Sequence, residues 1–387
     1  MRDEFWGYER LNGKVGVRNY VAVIPSVSCA ALTAARIASN VKGAVLIMNN
    51  TGCDETDRDL EQTLRTLAGI SKNPNIYGSL VVGLGCEVLL PQLLEERIAE
   101  EGKPVAKLTI QEDGGMTKTI KKGIALVKKM ADKAATIDRK LFPVSCLILG
   151  TQCGGSDATS GLAANPALGV ASDKLVELGG ASILAETPEM IGAEHWLEKR
   201  SVNPKVKRRI RFIVNRYEKV LKRAGEDFVG KQPGPGNIEG GLTTIEEKSL
   251  GCVAKVGNSP VQGVLDYGEA PGGKGLYIMD TPGNDIESVS ALLAGGCQII
   301  CFTTGRGTPV GSPIAPVVKI TGNPNTFKVM RENIDINAGT IILGRETIED
   351  VGKSIYREIL AVSSGKLTKA EAFGFGEFSI NRLDPSY

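Results

Sequence analysis

One histidine, His195, stands in a chain of 387 residues. The side chain that most often serves as general base or metal ligand near neutral pH is almost missing, so such chemistry falls to carboxylates, amines and thiols. The eight cysteines include no Cys-x-x-Cys pair, and no GxxxxGK[ST] phosphate loop occurs. No apolar run reaches the ~20 residues that span a bilayer, and the opening MRDEFWGYER lacks a signal-peptide pattern. Net charge is only +2, which gives neither nucleic acid nor a membrane surface an electrostatic hold. These absences predict a cytoplasmic protein with no nucleic-acid or membrane partner. Its cysteines are then thiols, metal ligands or catalytic groups rather than disulfides.

The composition that remains, 42% apolar and 23% charged, is that of a soluble globular protein with core enough for two or three domains. The basic run KVKRRIRFIVNRYEKVLKR (205–223) has Ile210, Ile213, Val214, Tyr217 and Leu221 at helical spacing, the pattern of an amphipathic helix with a solvated face. Short apolar runs alternate with helical ones: YVAVIPSV (20–27), GAVLIMNN (43–50), SLVVGLGCE (79–87) and PVAKLTI (104–110), then VSCLILG (144–150), LYIMDTPG (276–283), QIICFTTG (298–305), VVKIT (317–321) and GTIILG (339–344). Continuous apolar strands between amphipathic helices predict an α/β protein with parallel sheets wound with helices. Two consecutive α/β domains are expected, at 1–142 and 143–387, the second catalytic. GKQPGPGNIEGG (230–241) is too rich in Gly and Pro for regular structure and reads as a long functional loop.

Cys53 in NNTGCDE, Cys86 in GLGCE and Cys153 in GTQCGG each follow a strand and a glycine or small polar residue. Ligands of open α/β sheets lie beyond the carboxyl ends of strands, so the three are candidates for a metal or iron–sulfur site with one open corner. Cys29, Cys146, Cys252, Cys297 and Cys301 sit in or beside apolar runs and read as core. In FTTGRGTPVG (302–311), Thr303, Thr304, Gly305, Arg306 and Gly307 make a cradle of hydroxyls, backbone amides and a guanidinium suited to a carboxylate, phosphate or sulfonate. ETPEMIGAEHWL (186–197) offers Glu186 and His195 as ligand or base, whereas Glu189 and Glu194 suit a helix start. Loops at 241–251 and 279–285 add Glu246, Glu247, Lys248, Asp280 and Asp285.

Together GKVGVRNYVAVIPSVSC, VVGLGCE, GTQCGGSDATSGLAANPALGVASDKLV, ETPEMIGAE, PGNIEGGLTTIEEKSLG, MDTPGND and FTTGRGTPVGSPIAPVVKI resemble the altronate and galactarate dehydratases, whose relatives include the large subunit of sulfolactate sulfo-lyase. The resemblance runs through nearly the whole chain. It implies a lyase that removes water from a sugar acid to give a 2-keto-3-deoxy acid. The alternatives are a sulfo-lyase releasing sulfite and pyruvate from (2R)-3-sulfolactate, or an anion-binding subunit without catalysis. It also implies Fe2+, or another divalent metal or cluster, near Cys153, Asp157, Cys53 and Cys86. Lys248 or Lys319 would be the base, with Glu186 and His195 in support. Fused family members carry a further domain of about a hundred residues; here a separate small subunit of that size is expected, in an oligomer.

Overall fold

The computed structural model describes residues 3–387. The first half contributes β1 (Glu4–Glu9), β2 (Val15–Gly16), β3 (Tyr20–Pro25), β4 (Ala44–Leu46), β5 (Ile76–Gly83), β6 (Val105–Thr109) and β7 (Lys140–Pro143). Strands β4-β3-β5-β6 form a parallel sheet in that order. Alternate side chains point to opposite faces of a strand, and here both faces are apolar. Val21, Val23, Leu80 and Val82 pack against the helices Ala31–Ser39 and Met116–Ala135. Ala22, Ile24 and Val81 face Asp57–Lys72 and Pro91–Ala99. The N-terminal β1 pairs antiparallel with β7, Glu4 opposite Pro143, in a small separate sheet.

The second half contributes β8 (Ile148–Cys153), β9 (Ala181–Leu184), β10 (Val261–Leu265), β11 (Gly275–Met279), β12 (Ile299–Thr304), β13 (Val317–Thr321) and β14 (Ile336–Asn337). They form one parallel sheet, β10-β11-β9-β8-β12-β13-β14. The chain leaves β8 toward β9 on one side and β12 toward β13 on the other. Loops that diverge in this way open a crevice at the carboxyl edge. The small parallel sheet, β4-β3-β5-β6, has the same switch between β3 and β5.

GTIILG, expected as a strand, is instead the short helix Gly339–Ile342, and the sheet ends on the two-residue β14. Asn337 is the cause: its Oδ1 accepts from Gly339 N at 3.0 Å, turning the chain out of the sheet. Within 230–241 the Pro-rich run is shaped by the short helix Pro235–Glu239. The two halves share one core, in which Leu67 and Ile70 lie in the same cluster as Leu292 and Leu293. Asn73 Nδ2 donates to Leu293 O and Cys297 O, and Asn75 Nδ2 to Gln298 O and Ile314 O.

Candidate functional site

Cys153 ends β8. Glu186, just past β9, has φ of 72°, a left-handed conformation uncommon for any residue but glycine. It turns the carboxylate back over β8, where Oε2 accepts from Cys153 N at 3.0 Å and lies 3.5 Å from its Sγ. The third wall is the helix Ile245–Val253 and the turn after it. Cys252 and Lys255, three residues apart, fall on one side of that turn. Lys255 Nζ is 2.7 Å from Glu186 Oε2 and 3.1 Å from each of the Cys153 and Cys252 sulfurs, which are themselves 3.5 Å apart. All four residues are buried.

The hydrogen bond to Cys252, with burial, pushes the Cys153 thiol well above its ordinary range. Burial and Cys153 push Glu186 up against the pull of Lys255. Burial works against the Lys255 charge, but the two sulfurs and Glu186 outweigh it and hold the amine well above its ordinary value. Cys153, Glu186 and Cys252 offer three donor atoms within 4.8 Å of one another, a set compatible with a metal ion. In this conformation the cation they share is the Lys255 ammonium, so an ion would bind only with that amine turned away.

Above this floor opens a polar cavity of about 540 Å³ lined by Cys153, Glu186, Glu189, Lys248 and Asp285 and by Gln232 and Asn237 of the glycine-rich loop. Lys248 Nζ pairs with Glu189 Oε1 at 2.9 Å and donates to Gln232 Oε1 at 3.0 Å. Burial opposes the Lys248 charge, yet Glu189 holds its pKa above the ordinary value. Glu189 Oε2 is buried without a hydrogen-bond partner among the described residues. Asp285 opens the helix Asp285–Ala294. Burial, against a hydrogen bond from Gln152 Nε2 at 3.2 Å, pushes its pKa up to about 6. Gly154 allows this approach, since a Cβ there would meet the Asp285 oxygens at 2.6 Å.

The structure brings Cys153, Glu186, Lys248 and Asp285 to this cavity and leaves the other sequence candidates elsewhere. Thr303 Oγ1 donates to Asn165 Oδ1 at 2.5 Å, and Thr304 Oγ1 accepts from Gly307 N at 2.9 Å. Arg306 Nη1 is held by Gly236 O at 3.0 Å and Glu239 Oε2 at 2.7 Å, and does not line the cavity. Asp157 ties loops together, accepting from Thr159 Oγ1, Ser160 N and Asn323 Nδ2. Lys319 is buried with its Nζ on Pro309 O and Val310 O, and burial lowers its pKa to about 8. His195 is exposed beside Trp196. Cys53 and Cys86 lie at the edge of the small sheet, outside the donor group. Cys29, expected in the core, is exposed.

The sequence expectation assigns Cys252 to the core and Glu189 to a helix start, and does not name Lys255; the structure corrects all three. The available signal was the i,i+3 Cys–Lys pair in GCVAK, directly after the polar stretch TTIEEKS. Gly305 serves by being small, because a Cβ there would land 2.1 Å from Asp157 Cγ. Gly305→Ala is therefore expected to cost about 1–3 kcal/mol by overpacking; an unchanged thermal midpoint would contradict this.

A polar cleft at the carboxyl ends of β8, β9 and β11, floored by a buried amine–carboxylate–thiol group and walled by carboxylates and a lysine, is a ligand site for a small polar molecule in an α/β fold. The chain belongs to the D-galactarate/altronate dehydratase family. Residues 7–135 match the second domain of D-galactarate dehydratase/altronate hydrolase, and residues 144–386 the C-terminal domain of D-galactarate/altronate dehydratase. It is 37% identical to (2R)-sulfolactate sulfo-lyase subunit beta of Chromohalobacter salexigens, over 98% of this chain and 97% of that protein. It is 36% identical to altronate dehydratase of Bacillus subtilis, over 97% and 77%. With galactarate dehydratase (L-threo-forming) of Escherichia coli it shares 35% identity over 94% and 73%. These relatives are lyases. No helix among the described residues is long and apolar enough to cross a membrane.

Proposed function

We propose that this chain is a hydro-lyase that removes water from a sugar acid such as altronate or galactarate, leaving a 2-keto-3-deoxy acid. The observation that carries the reading is Glu189, a carboxylate with one oxygen held by Lys248 and the other buried and unpaired in the cavity. Glu189 Oε2 takes the proton α to the substrate carboxylate, and the Lys248 ammonium stabilises the enediolate that develops. The Cβ–O bond then breaks, the hydroxyl leaves as water with a proton from Asp285, and the enol tautomerises to the keto acid. Lys255, Glu186 and Cys153 fix the floor on which the substrate rests. Iron is the metal we propose for this enzyme. Bound at this floor, a divalent metal would add enediolate stabilisation, and Cys153, Glu186 and Cys252 are the residues that would hold it.

A second reading, loss of sulfite from 3-sulfolactate, is supported by the sulfo-lyase relative. That relative's designation as subunit beta also supports a separate small subunit of about a hundred residues, placed to close the cavity against water. Assays for keto acid and for sulfite with altronate, galactarate and 3-sulfolactate decide between the readings. Keto acid without sulfite supports the hydro-lyase, sulfite from sulfolactate replaces it with the second reading, and neither product from any substrate, with or without the small subunit, refutes both.

Asp285 adds a pH signature. With a pKa near 6 when folded against an ordinary 3.8, the folded chain holds this proton more tightly than the unfolded one between those values. Stability contributed by the group therefore falls as pH rises from about 4 to 6. Asp285→Asn should remove that fall, leaving the variant more stable than the parent above pH 6 by at most about 3 kcal/mol while lowering turnover. Urea midpoints of the two proteins at pH 5 and pH 8 check this, and equal midpoints at pH 8 count against it.

A further inference from the structure

The donor group at Cys153 already has its cation in Lys255. Three other cysteines converge at the equivalent place in the small sheet. Cys29, Cys53 and Cys86 follow β3, β4 and β5 at the carboxyl edge, on the loops around the β3/β5 switch.

These loops are tied to one another beside each cysteine. Ser28 N donates to Thr51 O at 3.0 Å, and Leu89 N to Gly52 O at 3.1 Å. Gly52 has φ of 103°, and a Cβ there would meet Ser26 O at 1.9 Å; only glycine lets the Cys53 loop press against the Cys29 loop. Ser26 Oγ in turn donates to Glu87 Oε1 at 2.8 Å. The buried Glu87 carboxylate also accepts from Leu84 N at 3.0 Å and Gly85 N at 2.6 Å, which builds the turn carrying Cys86.

Packing does not account for the three thiols. Cys29 and Cys86 are exposed and Cys53 half-buried, unlike the core residues Cys297 and Cys301, and Leu32, Val88 and Leu90 around them are also left exposed. A tetrahedral single-ion site with ~2.3 Å metal–sulfur bonds needs its sulfurs ~3.8 Å apart. Cys29, Cys53 and Cys86 do not form a group within 4.8 Å, so they are not the compact donor set of a single-ion site.

We propose that Cys29, Cys53 and Cys86 bind a four-iron iron–sulfur cluster, with three thiolate-held irons and one open iron corner able to take an oxygen ligand. The C-terminal tail links this edge to the cavity. Asn381 lines the cavity, Leu383 N and Asp384 N donate to the Asp59 carboxylate at 2.7 and 3.0 Å, and Tyr387 N reaches Asp54 O, beside Cys53, at 3.4 Å. The tail from Asn381 to Tyr387 spans at most ~20 Å. The assignment is independent of which acid the enzyme dehydrates.

The test is anaerobic purification of the full chain after growth with iron, with iron and acid-labile sulfide quantified alongside visible absorption and the electron paramagnetic resonance signal after reduction. About four irons and four sulfides per chain are expected. Cys29→Ser, Cys53→Ser and Cys86→Ser should each lose most of the sulfide and colour while keeping the parent's circular dichroism, and Cys153→Ser and Cys252→Ser should retain both. Iron or zinc without sulfide would overturn the proposal. So would sulfide that survives in the triple serine variant or vanishes with Cys153→Ser alone.

Discussion

Lys255→Met is expected to lower stability by about 3–5 kcal/mol, because removing one partner of a buried ion pair leaves the other uncompensated. The partner is Glu186, fully buried 2.7 Å from the amine. Without the ammonium, Glu186 folds only by keeping a proton, so the loss should grow as pH rises above the ordinary carboxylate range. Adding Glu186→Gln to Lys255→Met removes the stranded charge and should recover part of the loss, which separates charge from packing. Urea unfolding at pH 5.5 and 8 of the parent, the single and the double variant measures this. A single variant as stable as the parent at pH 8 would show that the four-residue floor carries no ionic character.

Glu189→Gln is expected to reduce kcat/KM by about 10²–10⁴-fold, the usual contribution of a positioned base. The amide keeps the size of the side chain and can still accept from Lys248, so stability should stay close to that of the parent. The loss should fall on kcat more than on KM, because Lys248 remains to hold the substrate carboxylate. Lys248→Met, in contrast, should raise KM as well. Steady-state kinetics on whichever hydroxy acid proves active, with thermal melts as control, decide the matter; a Glu189→Gln enzyme with parental kcat would remove Glu189 from the mechanism.

The parallel sheets were legible in sequence because strands buried on both faces leave continuous apolar runs, as in YVAVIPSV and QIICFTTG. The same signal failed at GTIILG, since a short apolar run has no period that separates strand from helix, and the Asn337 turn decided it. At the site, Cys153 and Glu186 were legible because each directly follows a strand. Cys252 and Lys255 were not: they arrive from a helix about a hundred residues along the chain, and apolar neighbours made Cys252 look like core. Glycines on both sides of Arg306 pointed to a free guanidinium. The 230–241 segment folds beside it and Glu239 takes it, a contact between residues 67 apart that local sequence does not announce.

The amide sutures from Asn73 and Asn75 and the apolar cluster they cross make the junction between the two family regions a boundary of descent rather than of mechanics. Cut there, one fragment would carry Leu67 and Ile70 to the surface and the other Leu292 and Leu293, each a sticky apolar face in search of its complement. A gene encoding either region alone thus yields an aggregation-prone half, and recombination among relatives is constrained to exchange the two regions as matched pairs.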